Sequence, residues 1–124
     1  MKMKILVVDD ELLLRDVLYN FLDRLGYDVD VAPDAEKALE IAKVNKPDIA
    51  LVDIKLPKAS GIELTQQLKN MYKDLPIIIM TGYPSLDTAI NAMENGANEY
   101  IVKPFRLDEL TRTINKYLPE INSD

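Results

Sequence analysis

Six side chains able to do chemistry sit directly after short apolar runs. Asp9, Asp10 and Glu11 follow Ile5-Leu6-Val7-Val8, Asp53 follows Ile49-Ala50-Leu51-Val52, Thr81 follows Ile77-Ile78-Ile79-Met80, and Lys103 follows Tyr100-Ile101-Val102. Taken singly, each has an ordinary structural explanation. An Asp after a strand caps the next helix, Asp53 forms a turn before Pro57, Thr81 bonds to nearby backbone, and Lys103 is a solvated surface charge. Taken together they differ. If the runs are strands of one parallel sheet, all six gather outside the strands' carboxyl ends, from strands about 4.8 Å apart laterally. Carboxylates so gathered repel by several kcal/mol at an effective dielectric of about 20 unless a cation intervenes. An all-oxygen set suits a hard divalent ion such as Mg²⁺, which keeps several waters and is usually held by one or two carboxylates plus phosphate oxygens.

The composition removes most other chemistry. The chain has 124 residues, enough for one domain, and its formal charge is -6. That balance disfavours nucleic acid and anionic membrane as direct partners. There is no Cys and no His. Thiol nucleophiles, thiolate zinc sites, imidazole bases and a phosphohistidine on this chain are thereby excluded. The apolar run after Met1-Lys2-Met3-Lys4 spans only Ile5 to Val8, too short for a signal peptide or a membrane span. A cytoplasmic location is expected.

The elements that must position these residues alternate along the chain. Four runs read as strands buried on both faces, while Val29-Asp30-Val31 alternates and suits an edge. The intervening stretches have helical spacing. Leu14, Leu18, Leu22 and Leu25 form one stripe, closed by Gly26. Asp34 is placed to cap a helix with Ala35, Ala38, Leu39 and Ala42 on its inner face. Leu64, Leu68 and Met71 form a third stripe from about Gly61. Leu86, Ala89, Ile90 and Met93 form a fourth, closed by Gly96, and Leu107, Leu110 and Ile114 a fifth, stopped by Pro119. Five strand-helix units with short connections require a doubly wound α/β fold with a parallel sheet and right-handed crossovers. From Glu120 the chain reads as a frayed tail.

The ordered set Asp9-Asp10, Asp53 with Pro57 and Gly61 following, Thr81-Gly82 and Lys103-Pro104-Phe105 resembles the receiver domain of two-component response regulators. The likeness covers about residues 4 to 118, with residues 1–119 as the receiver. It implies a five-stranded sheet in the order 2-1-3-4-5 and an aspartyl-phosphate chemistry. Asp53 is then the phosphoacceptor. Asp10, Asp53 and the backbone carbonyl of Lys55 hold Mg²⁺, with Asp9 acting directly or through water, and Mn²⁺ or Ca²⁺ able to substitute. Lys103 pairs with Asp53 and then with the phosphoryl oxygens, Thr81 bonds one of those oxygens, and Tyr100 changes rotamer with Thr81. The implied partners are a sensor histidine kinase or a histidine phosphotransfer protein, and a downstream protein target. The Lys103-Pro104 bond is open to either isomer, with base rates favouring trans.

Lys55 and Tyr83 lie two residues after Asp53 and Thr81. They resemble the pattern of the sporulation phosphorelay regulator, which like the chemotaxis regulator is a stand-alone receiver that this chain resembles, and are expected to crowd the route of attacking water. Leu12, Leu13 and Leu14 cannot all face a sheet at 100° per residue. Leu13 and Val17 are therefore expected to be exposed, with Leu14, Tyr83, Pro104 and Phe105 extending a partner-docking patch. With no residues left for an output domain, output by docking is expected. Two rival readings fit the residues less well. A Mg²⁺-dependent aspartyl-phosphate phosphatase needs an acid two residues after the nucleophile, where Lys55 stands. A flavodoxin-type binder needs a Ser/Thr/Gly-rich first loop, where Asp9-Asp10-Glu11 stand.

Overall fold

The computed structural model describes residues 2–119; the expected frayed tail from Glu120 lies outside the described residues. Five strands and five helices alternate: β1 Lys4–Val8, α1 Leu12–Arg24, β2 Asp28–Ala32, α2 Ala35–Val44, β3 Ile49–Asp53, α3 Gly61–Met71, β4 Ile77–Thr81, α4 Leu86–Glu94, β5 Glu99–Val102 and α5 Leu107–Asn115. All strand pairs are parallel, in the order β2-β1-β3-β4-β5.

The apolar runs become central strands because helices cover both sheet faces. The pleat sends alternate residues to two cores. Ile5, Val7, Ile49, Leu51, Ile78 and Met80 pack with Leu18 and Leu22 of α1 and Leu110 and Ile114 of α5. Leu6, Val8, Ala50, Val52, Ile77 and Ile79 pack with Ala38 and Ala42 of α2, Leu64 and Leu68 of α3 and Ala92 of α4. Burying each large aliphatic side chain contributes about 1.5–3 kcal/mol, so this platform is stiff.

Local signals set the helix ends. Asp34 Oδ1 accepts from the Lys37 N–H at 2.8 Å, and Ser60 and Ser85 hydroxyls accept from the Glu63 and Thr88 N–H groups at 3.1 Å each. Gly26 and Gly96 close α1 and α4 with φ of 100° and 108°. The fifth helix stops at Asn115, ahead of Pro119.

Two expectations need correction. The run Tyr100-Ile101-Val102 is not buried on both faces. β5 is the second edge strand, and Val102 is 42% exposed. The stripe Leu86, Ile90 and Met93 of α4 also faces outward, with Leu86 76% exposed. The face that packs is centred on Ala92, with Thr88 and Ala89 half-buried. Periodicity finds a stripe but cannot tell which stripe meets the sheet, and short side chains let this helix approach closely.

Gly61 ties α3 to the end of β3. Its N–H donates to the Ile54 carbonyl at 2.8 Å, and a Cβ there would stand 2.2 Å from the Asp53 carbonyl oxygen and 2.9 Å from Ile54 Cα. The obstacle is backbone, which cannot rotate away. Gly61→Ala is expected to lower stability by about 2–3 kcal/mol, the cost of overpacking against a rigid wall. Urea unfolding checks this, and an unchanged midpoint would show that the strand end yields.

Candidate functional site

Register alone brings the acids together. Val8 is paired with Val52, so Asp9, one residue on, comes abreast of Asp53 at the end of β3. Asp9 is fully buried and Asp53 is 6% exposed, while Asp10 faces solvent. One carboxylate oxygen from each of Asp9, Asp10 and Asp53 lies within 4.8 Å of the others. Three convergent oxygens, one of them at a wet surface, match what a hard divalent ion that retains waters requires.

Lys103 enters from the end of β5, where its N–H donates to the Thr81 carbonyl at 2.7 Å and its bond to Pro104 is cis. Its ammonium lies 2.6 Å from Asp9 Oδ2 and 3.4 Å from both Asp53 Oδ2 and Glu11 Oε1. Asp9 is thus a closer partner than Asp53, and Glu11, not assigned a role from sequence, is a third. Asp9 is further held by the Glu11 N–H at Oδ1 (2.9 Å) and by Arg15, whose Nη1 donates to the Asp9 carbonyl at 2.8 Å.

The electrostatics follow from burial. Removal from water, then the neighbouring Asp9 charge, pushes the Asp53 carboxyl above its usual range, although Lys103 and the Lys55 N–H pull the other way. Burial disfavours the Lys103 charge, but the Asp9 hydrogen bond and the Asp9 and Asp53 charges outweigh it and raise Lys103 overall. Asp53 is therefore an unusually basic carboxylate facing a firmly charged ammonium.

Strand alternation separates this charged trio from the other polar residues. Asp53 and Lys103 fall on the parity of Leu51 and Ile101, toward α1 and α5, whereas Thr81 and Tyr100 fall on the opposite parity. Thr81 Oγ1 accepts from the Tyr83 N–H at 3.0 Å, and the Tyr100 hydroxyl accepts from the Ser85 N–H at 3.4 Å. Both side chains therefore hold the β4–α4 loop. Lys55 projects to solvent with its ammonium 3.8 Å above the Tyr83 ring, while its backbone bridges to Ser60 and its N–H points at Asp53 Oδ1 from 3.4 Å.

Beside the acids a groove of about 600 Å³ is lined by Leu13, Leu14, Val17, Tyr83, Pro104 and Phe105, with Glu11, Gly82 and Lys103 at its polar side. Leu13 is 77% exposed and Val17 41%. Arg15 went unread in the sequence. Its one signal was a cation in the opening turn of a helix, where the dipole disfavours it.

Residues 5–115 match the model of the response regulator receiver domain. The chain is 40% identical over 116 residues to the two-component response regulator PhoP of Pseudomonas aeruginosa, a match covering 94% of this chain and 52% of PhoP. It spans about half the length of the curated relatives it matches. The crystal structure of a CheY-like receiver domain protein from Methanospirillum hungatei superposes with a TM-score of 0.91 at 32% identity, covering 94% of this chain and 93% of that one. A response regulator protein from Burkholderia pseudomallei, crystallised with a phosphorylated aspartic acid, calcium ion and citrate, superposes at 0.86 and 30% identity over 95% of this chain and 68% of that one. A matched stretch that runs from β1 through the end of α5, over a sheet in the order β2-β1-β3-β4-β5, makes this chain a member of the response regulator receiver domain family.

Proposed function

We propose that Asp53 accepts a phosphoryl group from a phosphohistidine on a sensor kinase or histidine phosphotransfer protein. The observation that carries this reading is a buried carboxylate at a strand end, between two further acids and a lysine ammonium. A carboxylate oxygen of Asp53 forms the new bond to phosphorus as the donor's P–N bond breaks. The leaving imidazole keeps the electron pair and takes a proton from solvent. No protein acid or base is required, so the lack of His is no handicap.

Asp9, Asp10, Asp53 and the Lys55 carbonyl would hold Mg²⁺, which supplies charge neutralisation for the phosphoryl oxygens. The Lys103 ammonium is already within 3.4 Å of Asp53 and has only to follow the new oxygens outward. Thr81, by leaving the Tyr83 N–H for a phosphoryl oxygen, would release one of the two bonds that hold the β4–α4 loop. Tyr100 holds the other through Ser85 and is the natural follower. The phosphatase alternative finds no support, because an ammonium rather than a carboxyl follows Asp53 at two residues.

The apolar groove is the docking surface of this reading, since it opens beside Lys103 and presents Leu13 and Val17. No helix among the described residues is long and apolar enough to cross a membrane, and we place the protein in the cytoplasm.

Incubation with Mg²⁺ and acetyl phosphate, followed by intact mass, should add one phosphoryl group to the wild type and none to Asp53→Asn. Equal labelling of both would overturn the assignment. Truncating Lys55 and Tyr83 together to Ala should shorten the phosphoryl lifetime about tenfold, equivalent to about 1.4 kcal/mol of barrier, by opening the path of water. An unchanged lifetime would remove the shielding role. Leu13→Asp should slow transfer from a phosphohistidine donor at least about tenfold while leaving acetyl phosphate labelling intact, as expected for a lost apolar anchor.

A further inference from the structure

α1 opens without a side-chain cap, as α5 does at Arg106, and it differs from α5 in having no acid in its first turn. α2, α3 and α4 begin with Asp34, Ser60 and Ser85, each accepting a bond from its own first turn. Glu11, the residue before α1, makes no such cap, and the opening turn carries no acid. Its carboxylate reaches toward Lys103 instead. Arg15, half-buried, stands one turn in, where the positive end of the helix dipole opposes its charge. This arrangement gives up helix stability at both positions. Such local conflicts are expected where a site is being served.

The guanidinium is spent on one atom, the Asp9 carbonyl oxygen, at 2.8 Å. A charged donor makes a stronger, shorter bond than a neutral one. With it, every polar atom of Asp9 is engaged. Its N–H donates to the Ala32 carbonyl at 3.1 Å, Oδ1 accepts from Glu11 and Oδ2 from Lys103. Asp10 is the contrast. It is exposed, and its side chain has no hydrogen bond or ion pair among the described residues. Its carboxylate reaches the cluster through the path of the backbone between β1 and α1.

We propose that Arg15 is a positioning residue for the carboxylate edge: by clamping the Asp9 carbonyl it sets the β1–α1 turn that aims Asp10 at Asp53. The inference rests on the proposed metal-dependent reading of the site. It runs against simple Coulomb reasoning. A cation beside a divalent-ion site should weaken metal binding, so its removal should tighten binding. Positioning requires the reverse.

The test uses the full chain and Mg²⁺ itself. Arg15→Gln and Arg15→Lys are compared with the wild type in three measurements: Mg²⁺ affinity by titration, hydrogen exchange without metal of the Glu11 amide, which bonds Asp9 Oδ1, and the urea midpoint. Arg15→Gln should weaken Mg²⁺ binding about tenfold, the range for groups that orient ligands. The Glu11 amide should exchange several-fold faster, and the urea midpoint should stay in place. Arg15→Lys keeps the charge but loses the planar fork, and should fall between the two. Acetyl phosphate labelling of Arg15→Gln should need more Mg²⁺ and recover when Mg²⁺ saturates. Tighter or equal Mg²⁺ binding in Arg15→Gln would overturn the proposal. So would a drop in the urea midpoint of both variants that accounts for the lost affinity. If the wild type binds Mg²⁺ yet takes no phosphoryl group, the phosphoacceptor reading falls while the clamp stands on affinity and exchange.

Discussion

Asp9 and Asp53 are buried side by side at the end of two neighbouring strands, and that is an expensive arrangement. Like charges a few ångströms apart in a partly dry site repel by several kcal/mol, and each has also lost its hydration. The Lys103 ammonium offsets part of this by lying against both. Everything else at the edge follows from that shared cation. Lys103 is aimed by the turn that leaves β5, which is tied to Thr81. Asp53 is held by the packing of Gly61 against its carbonyl. One ammonium does not neutralise Asp9, Asp10, Glu11 and Asp53, so the edge is left attractive to a further positive ion.

The two faces of the sheet divide the work. The charged trio lies on the parity that faces α1 and α5, next to the open groove at Leu13 and Phe105. Thr81 and Tyr100 lie on the other, where Tyr100 packs with the core beneath α4. A change of charge at Asp53 would therefore be felt first by Lys103 on its own side. Under the proposed reading its path to the α4 side would run through Thr81, whose carbonyl accepts from the Lys103 backbone N–H and whose hydroxyl accepts from the Tyr83 N–H. The β4–α4 loop is held by the Thr81 hydroxyl at the Tyr83 N–H and by the Tyr100 hydroxyl at the Ser85 N–H.

Much of this was legible in the residues. The alternation of apolar runs with helical stripes, the Asp34 cap and Gly26 closure, and the acids following β1 and β3 could be read without coordinates. So could the exposure of Leu13 and Val17, because three consecutive leucines cannot share one helix face. What was misread has a common cause. The stripe of α4 and the burial of β5 depend on what lies beyond the sheet edge, and periodicity carries no information about that. Arg15 was overlooked, and Glu11, though counted among the acids at the edge, was given no partner, because their contacts with a main-chain oxygen and with Lys103 are set by the docking of α1 rather than by spacing.

The sequence by itself determined the class of fold and the inventory of chemistry: carboxylates, one hydroxyl and one amine at strand ends, with neither thiol nor imidazole. Those are matters of composition and of local order along the chain. The tertiary structure alone decided which groups meet. Register places Asp9 abreast of Asp53, the end of β5 delivers Lys103 to Asp9 more closely than to Asp53, and α1 brings Arg15 onto a carbonyl. Such contacts join residues up to 94 positions apart. Their geometry comes from the simultaneous packing of two cores on one sheet, which no short stretch of sequence encodes.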